Sequence, residues 1–139
     1  MVKINDCVVT WSSKKQSTVA LSTAESEYYG ISATAKELIW TKSLVSKITM
    51  TDRHKLMATM KTDSTSAMAM TSQDNMHQRT KHIDIRHHFI RDQIKKKRIQ
   101  MRWVPTHMQL ADIMTKPLAK IQFERMHARI MHGSEDDQA

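Results

Sequence analysis

Along the 139-residue chain the apolar positions change their spacing several times, and each change marks an element. Residues 7 to 11, CVVTW, are a short run of β-branched and aromatic side chains that predicts a strand. The polar, basic SSKKQ ends it. In TVALSTAESEYYG, residues 18 to 30, Ser22 and Glu25 have the S-x-x-E spacing of a capping box, so a helix is expected to start at Thr23 or Ala24. Ala24, Tyr28, Ile31, Ala35, Leu38, Trp40, Leu44, Val45 and Ile48 then recur at roughly helical spacing, a stripe expected to face a sheet. TDRHK breaks the helix. LMATMKTD, residues 56 to 63, predicts a strand with an aspartate at its carboxyl end, STSAMAM a short helix and QDNMHQRT a loop. Residues 81 to 97 carry Ile83, Phe89, Ile90 and Ile94 opposite a basic face, which predicts a helix. IQMRWV is a further strand, stopped by Pro105. Thr106 and Gln109 repeat the capping-box spacing, so LADIMTK is expected on a short helix ending before Pro117. A last helix over 119 to 131 would turn Ile121, Phe123, Met126 and Ile130 inward.

Strands alternating with helices predict an α/β layer architecture. The strands at 56–62 and 100–104 should share one mixed sheet with flanking helices. The length fits one domain, residues 1–131, followed by a flexible polar tail at 132–139, HGSEDDQA. Apolar residues make up 40% of the chain, enough for a core. Twelve methionines are adaptable filler for that core, among them Met57, Met60, Met68, Met70, Met101 and Met114. The lone Cys7 excludes an internal disulfide framework. With no apolar leader and no long apolar run, a soluble intracellular protein without a membrane role is expected. Lysine and arginine number 22 against 14 acids, a net charge of +8 that favours a polyanionic partner.

Three acids are candidates for chemistry. Glu25 has a plain role at the helix cap, but Glu27 borders the apolar stripe, either as a rim salt bridge or as a ligand. Asp63 ends a strand, where α/β folds bind ligands, although capping the following STSA helix would explain it equally well. Asp112 lies in LADIMTK and is either an ordinary exposed charge or a third ligand. Convergence of the three would suit a hard divalent cation, but spacing alone does not show convergence. Of the basic residues, Lys14 and Lys15, Arg79, Lys81 and Arg91, and the KKKR run Lys95, Lys96, Lys97 and Arg98 are either solvated surface or phosphate contacts. His82, His87 and His88 lack the spacing and the cysteine partners of a zinc site. Trp11, Trp40 and Trp103 are too scattered for base stacking and are expected in the core.

VTWSSKKQSTVALSTAESEYYGISATAKELIWTKSLV, KTDSTSAMAM, RTKHIDIRHHFIRDQI and WVPTHMQLADIMTKPLAKIQFERM, in that order, resemble the ribonuclease H region at the C-terminal end of copia-type retrotransposon Pol polyproteins, over residues 8 to 130. The resemblance implies a ribonuclease H-like fold and cleavage of the RNA strand of RNA–DNA hybrids with two Mg²⁺ or Mn²⁺ ions. It makes Glu27, Asp63 and Asp112 metal ligands and catalytic residues, with His107 a proton shuttle. It further implies an upstream reverse transcriptase portion of Pol as partner and a cytoplasmic or nucleus-associated location. One departure matters. The family's sheet begins with two strands, the first bearing a catalytic aspartate, ahead of VTWSSKKQ. The chain is therefore expected to be an N-terminally truncated form with its first two strands absent. Its 7–11 strand would lack a neighbour, and its 56–62 strand would keep an open edge that invites self-association. The expected consequence is an endonuclease fold inactive as an isolated chain. The alternative is a retroelement remnant that only binds nucleic acid weakly.

Overall fold

A computed structural model describes residues 1–16, 19–52, 54–72 and 81–133, leaving aside the side chains of residues 70, 72 and 81–87. The architecture is α/β and falls into two compact units. The terminal unit takes Met1–Ser17 and Val104–Ala139, and the middle unit takes Thr18–Trp103.

The terminal unit opens with a hairpin of β1 (Val2–Ile4) and β2 (Cys7–Thr10), paired antiparallel. Asn5 and Asp6 link them with φ of 47° and 64°. Two left-handed residues in a two-residue link make a type I′ turn, whose twist matches that of the strands and which favours this residue pair. The predicted strand at 7–11 therefore does have a neighbour, supplied by VKI, which the sequence reading left out. The register shifts between Val2 and Lys3, so Val9 is left over as a bulge. Beyond the hairpin, Thr106–Met108 and Leu110–Met114 are 3₁₀ turns rather than one α-helix. Thr106 does not cap. Pro105 stands at that position and its carbonyl accepts the Met108 amide at 2.8 Å.

The first α-helix of the chain, α1 (Thr23–Thr49), belongs to the middle unit and starts where the Ser22 signal placed it. It is followed by β3 (Ala58–Thr62), α2 (Thr65–Ser72), α3 (Lys81–Lys95) and β4 (Ile99–Trp103). β3 and β4 share a sheet as expected and run parallel, Ala58 opposite Ile99 through to Thr62 opposite Trp103. Instead of one mixed sheet there are two sheets of two strands each. Tyr28, Ile31 and Ala35 of α1 pack on Met60, Ala67, Ile90 and Ile99, with Leu38, Ile39, Phe89, Ile94 and Met101 around them.

The stripe predicted along α1 splits in two. Its first half is core, whereas Trp40, Leu44 and Ile48 are 60%, 41% and 73% exposed. The cause is length. Twenty-seven helical residues span about 40 Å, while five-residue strands span about 17 Å, so the last turns of the helix run past the sheet. Trp11, Trp103 and Met57 are exposed as well, against expectation.

The last helix, α4 (Lys120–Met131), returns to the terminal unit. It buries Met126 and Arg129, but leaves Ile121 and Phe123 exposed. Arg129 occupies the inward position instead, reaching the Met108 sulfur at 3.1 Å. Phe123 stacks on His127 one turn along, ring centroids 5.9 Å apart.

Candidate functional site

The amino end of α1 separates its two glutamates by role. Ser22 Oγ accepts the Glu25 amide at 3.1 Å, a cap that satisfies one of the helix's unpaired donors. The Glu25 carboxylate is buried. It accepts the Tyr29 hydroxyl at 2.6 Å and the Leu21 amide at 2.7 Å, one residue before the position a capping box would use. The Tyr29 hydroxyl, and after it the Leu21 amide, hold the Glu25 carboxyl below the usual glutamate range, against the opposing push of burial. Glu25 is thus committed to the fold. Glu27 is exposed, and no ion pair of its carboxylate occurs among the described residues.

Asp63 follows β3 and is half-buried. The capping role open to it belongs instead to Ser64, whose Oγ accepts the Ala67 amide at 3.1 Å at the start of α2. Thr62 Oγ1 accepts the Ser64 amide at 3.2 Å, and the Trp103 indole N–H donates to the Asp63 carbonyl at 3.1 Å. The backbone of Asp63 is therefore pinned from both sides while its carboxylate takes no part in the cap. Glu27 lies at the same end of the unit. Lys42 of α1 donates to the Arg98 carbonyl at the start of β4, 3.1 Å away. Glu27, fifteen residues earlier, stands about 22 Å back along the helix, toward the carboxyl ends of the strands.

The other two predicted residues belong to the terminal unit. Asp112 is buried in the second 3₁₀ turn, and its Oδ2 meets Lys116 Nζ at 2.9 Å. It is neither the exposed charge nor the open ligand that the sequence left as alternatives. His107 is exposed on the first 3₁₀ turn. Among the described residues, neither unit gathers three or more His, Cys, Asp or Glu side chains within metal-binding reach. These residues do not by themselves fit a two-ion set, and no catalytic step is derived through one.

The basic residues vary more than their number suggests. Lys14 and Lys15 are exposed after β2, and Lys95 and Lys97 are exposed around the end of α3. Lys96 is paired with Asp92 at 2.8 Å. Arg98 is half-buried and reaches Gln93 Oε1 at 3.4 Å. Arg91 is half-buried too, and its charge opposes the burial that raises the Tyr28 hydroxyl's pKa. Arg79 lies outside the described residues, as does the side chain of Lys81. The sequence reading missed Lys42, an 8%-exposed lysine on the inward face of α1. The signal was available, because Lys42 continues the spacing of Tyr28, Ile31, Ala35 and Leu38.

Comparison with known proteins gives a consistent answer. The chain is 35% identical over 122 residues to the retrovirus-related Pol polyprotein from transposon RE2 of Arabidopsis thaliana, covering 88% of this chain and 8% of that protein. It is 35% identical over 116 residues to the corresponding polyprotein from transposon TNT 1-94 of Nicotiana tabacum, covering 84% of this chain and 8% of the relative. The RE1 polyprotein of Arabidopsis thaliana matches over 122 residues at the same identity. No family model matches, and no solved structure matches. The chain is homologous to a short segment of copia-type retrotransposon Pol polyproteins and spans about 8% of the length of these relatives.

Proposed function

We propose that the chain is the ribonuclease H-like segment at the C-terminal end of such a Pol polyprotein. In this reading the 139-residue chain on its own engages RNA–DNA hybrids through their phosphates without cleaving them efficiently. The observation that carries the reading is the contrast among its acids. Glu27 and Asp63 stand at the carboxyl end of the parallel strands without a structural role, whereas Asp112 is buried against Lys116. Two carboxylates offer at most one weak site for Mg²⁺ or Mn²⁺. Holding two cations close together needs more ligand charge and a bridging carboxylate.

Binding needs no intact site, because a net charge of +8 acts on phosphates at large. Among the described residues no helix is long and apolar enough to cross a membrane. The reading also carries an intracellular location, the reverse transcriptase portion of Pol as neighbour, and self-association through the open edges of β3 and β4. Each of those strands is paired on one side only among the described residues.

The test is a cleavage assay on labelled RNA–DNA hybrid with Mg²⁺ or Mn²⁺. It runs beside Asp63→Asn and beside the chain joined to the Pol segment that precedes it in a homologous element. Binding that weakens steeply with salt, with cleavage only in the joined form, is the expected result. Strong cleavage by the 139-residue chain, abolished by Asp63→Asn, would overturn the reading and establish a self-sufficient nuclease.

A further inference from the structure

The opposite end of the middle unit holds a small cavity of about 30 Å³, lined among the described residues by Ile39, Lys42, His54 and Arg98. Three nitrogen-bearing side chains reach it from three separate places: the second half of α1, the connection after α1, and the residue before β4. Lys42 is buried, not extended into solvent as a surface lysine would be. Its ammonium donates to the Arg98 carbonyl at 3.1 Å, which fixes it at the cavity wall. The Arg98 guanidinium is steadied by Gln93 at 3.4 Å. The imidazole of His54 always offers at least one N–H donor.

No carboxylate lines the cavity among the described residues. Two acids lie near it in sequence, and both are engaged. Asp52 accepts the His54 backbone amide at 2.9 Å, and Asp92 is paired with Lys96. The volume has room for about two water-sized groups, taking about 10–15 Å³ for each. That suits the two non-bridging oxygens of a phosphate and is too small for a base. Outside it, Lys55, Lys95 and Lys97 are exposed, and their field would draw a polyanion toward the opening.

We propose that this cavity is a phosphate-group site, and that its occupant is one backbone phosphate of a bound nucleic-acid strand. The identity of the occupant rests on the reading that the chain meets nucleic acid, but not on cleavage. The site lies about 22 Å along α1 from Glu27 and would act as an anchor remote from the carboxylates. Its donors suit a tetrahedral oxyanion, since Arg presents a planar fork of N–H groups and Lys a point charge.

The experiment uses the whole chain, its fold checked by thermal melting, as wild type and as Lys42→Met, His54→Gln and Arg98→Gln. Lys42→Met keeps the buried stem, and His54→Gln changes an exposed residue, so at least one variant leaves the core intact. Inorganic phosphate is titrated while side-chain and amide resonances are followed, and hybrid binding is measured against salt. Phosphate should move signals at Lys42, His54 and Arg98 in the wild type and not in the variants. Each charge-removing variant should weaken hybrid binding about five- to tenfold near 0.1 M salt and flatten the log–log salt slope by about 0.7–0.9. Absence of a response to phosphate at these residues overturns the site, whatever the oligonucleotide does. A phosphate response with unchanged hybrid binding and slope overturns the nucleic-acid occupant and leaves a site for a free anion. Failure of the wild type to bind hybrid at all overturns both the occupant and the broader reading, and the phosphate titration separates that result from failure of the cavity.

Discussion

The two ends of the middle unit are built by different means. At the carboxyl ends of the strands, order comes from hydrogen bonds to and around acids. Ser22, Tyr29 and the Leu21 amide fix Glu25, and Ser64 and Trp103 fix the backbone of Asp63, which leaves Glu27 and the Asp63 carboxylate outside that framework. At the other end, order comes from backbone geometry. Lys97 sits at φ 52°, its amide donates to the Ile94 carbonyl at 2.9 Å, and the Arg98 amide donates to the Gln93 carbonyl at 3.0 Å. These two bonds close α3 through a left-handed residue, a place that glycine normally takes. The difference teaches that one end uses side-chain chemistry to release two carboxylates, and the other accepts backbone strain to keep lysines where glycine would be easier.

The largest test asks whether the ends are independent. Both rest on one core, and Ile90 is fully buried within it. Ile90→Ala should cost about 2–5 kcal/mol of stability. Urea unfolding followed by hydrogen exchange at Ala67 and at Ile99 should show both ends losing protection together. Loss at one end alone would mean that the core does not join them.

A smaller effect isolates the basic end. Lys97→Gly removes a left-handed lysine, whose conformation costs about 1–2 kcal/mol, against glycine's own entropic cost of roughly 0.5–1 kcal/mol. A net stabilisation of up to about 1 kcal/mol is expected in denaturant titration, along with weaker hybrid binding because a charge is lost. Unchanged or lower stability would show that the lysine side chain earns its position by contacts of its own.

The smallest effect isolates the acid end. The folded pKa of Glu25 is lowered, so the stabilisation it reports is fully present above the ordinary glutamate value, about 4.5, and is lost as pH falls below it. Thermal melts of the wild type should decline from about that pH downward. Glu25→Gln should start less stable at neutral pH and decline less steeply. Parallel pH profiles for the two proteins would remove Glu25 from the acid dependence.

Much of this organisation was legible because it is local. Ser22 and Glu25 announced the start of α1 within four residues, and Pro105 announced the end of β4. The hairpin was legible too, since VKI-ND-CVVT carries a turn pair between short strands, but attention began at Cys7 and passed over it. What did not show in the sequence depends on distance through space. Whether Trp40 faces a sheet depends on how long the sheet is. Whether Asp63 or Ser64 caps α2 depends on where β3 stops, and one residue decides it. Lys116 lies four residues after Asp112, a spacing that permits an ion pair on a helical turn, but the burial of that pair depends on packing within the terminal unit. The site residues were named mainly through resemblance, because carboxylate spacing along the chain says nothing of convergence.

The rigid length of α1 also sets a scale along a bound strand. Lys42 and Glu27 are fifteen residues apart, about 22 Å at 1.5 Å per residue. At about 3.4 Å per nucleotide in one strand, that is roughly six nucleotides. A strand seated with one phosphate at Lys42 and lying along the helix presents to Glu27 and Asp63 a linkage about six nucleotides away. The helix is then a ruler, and the position at which the carboxylates meet the strand is counted from the anchored phosphate, not read from base sequence.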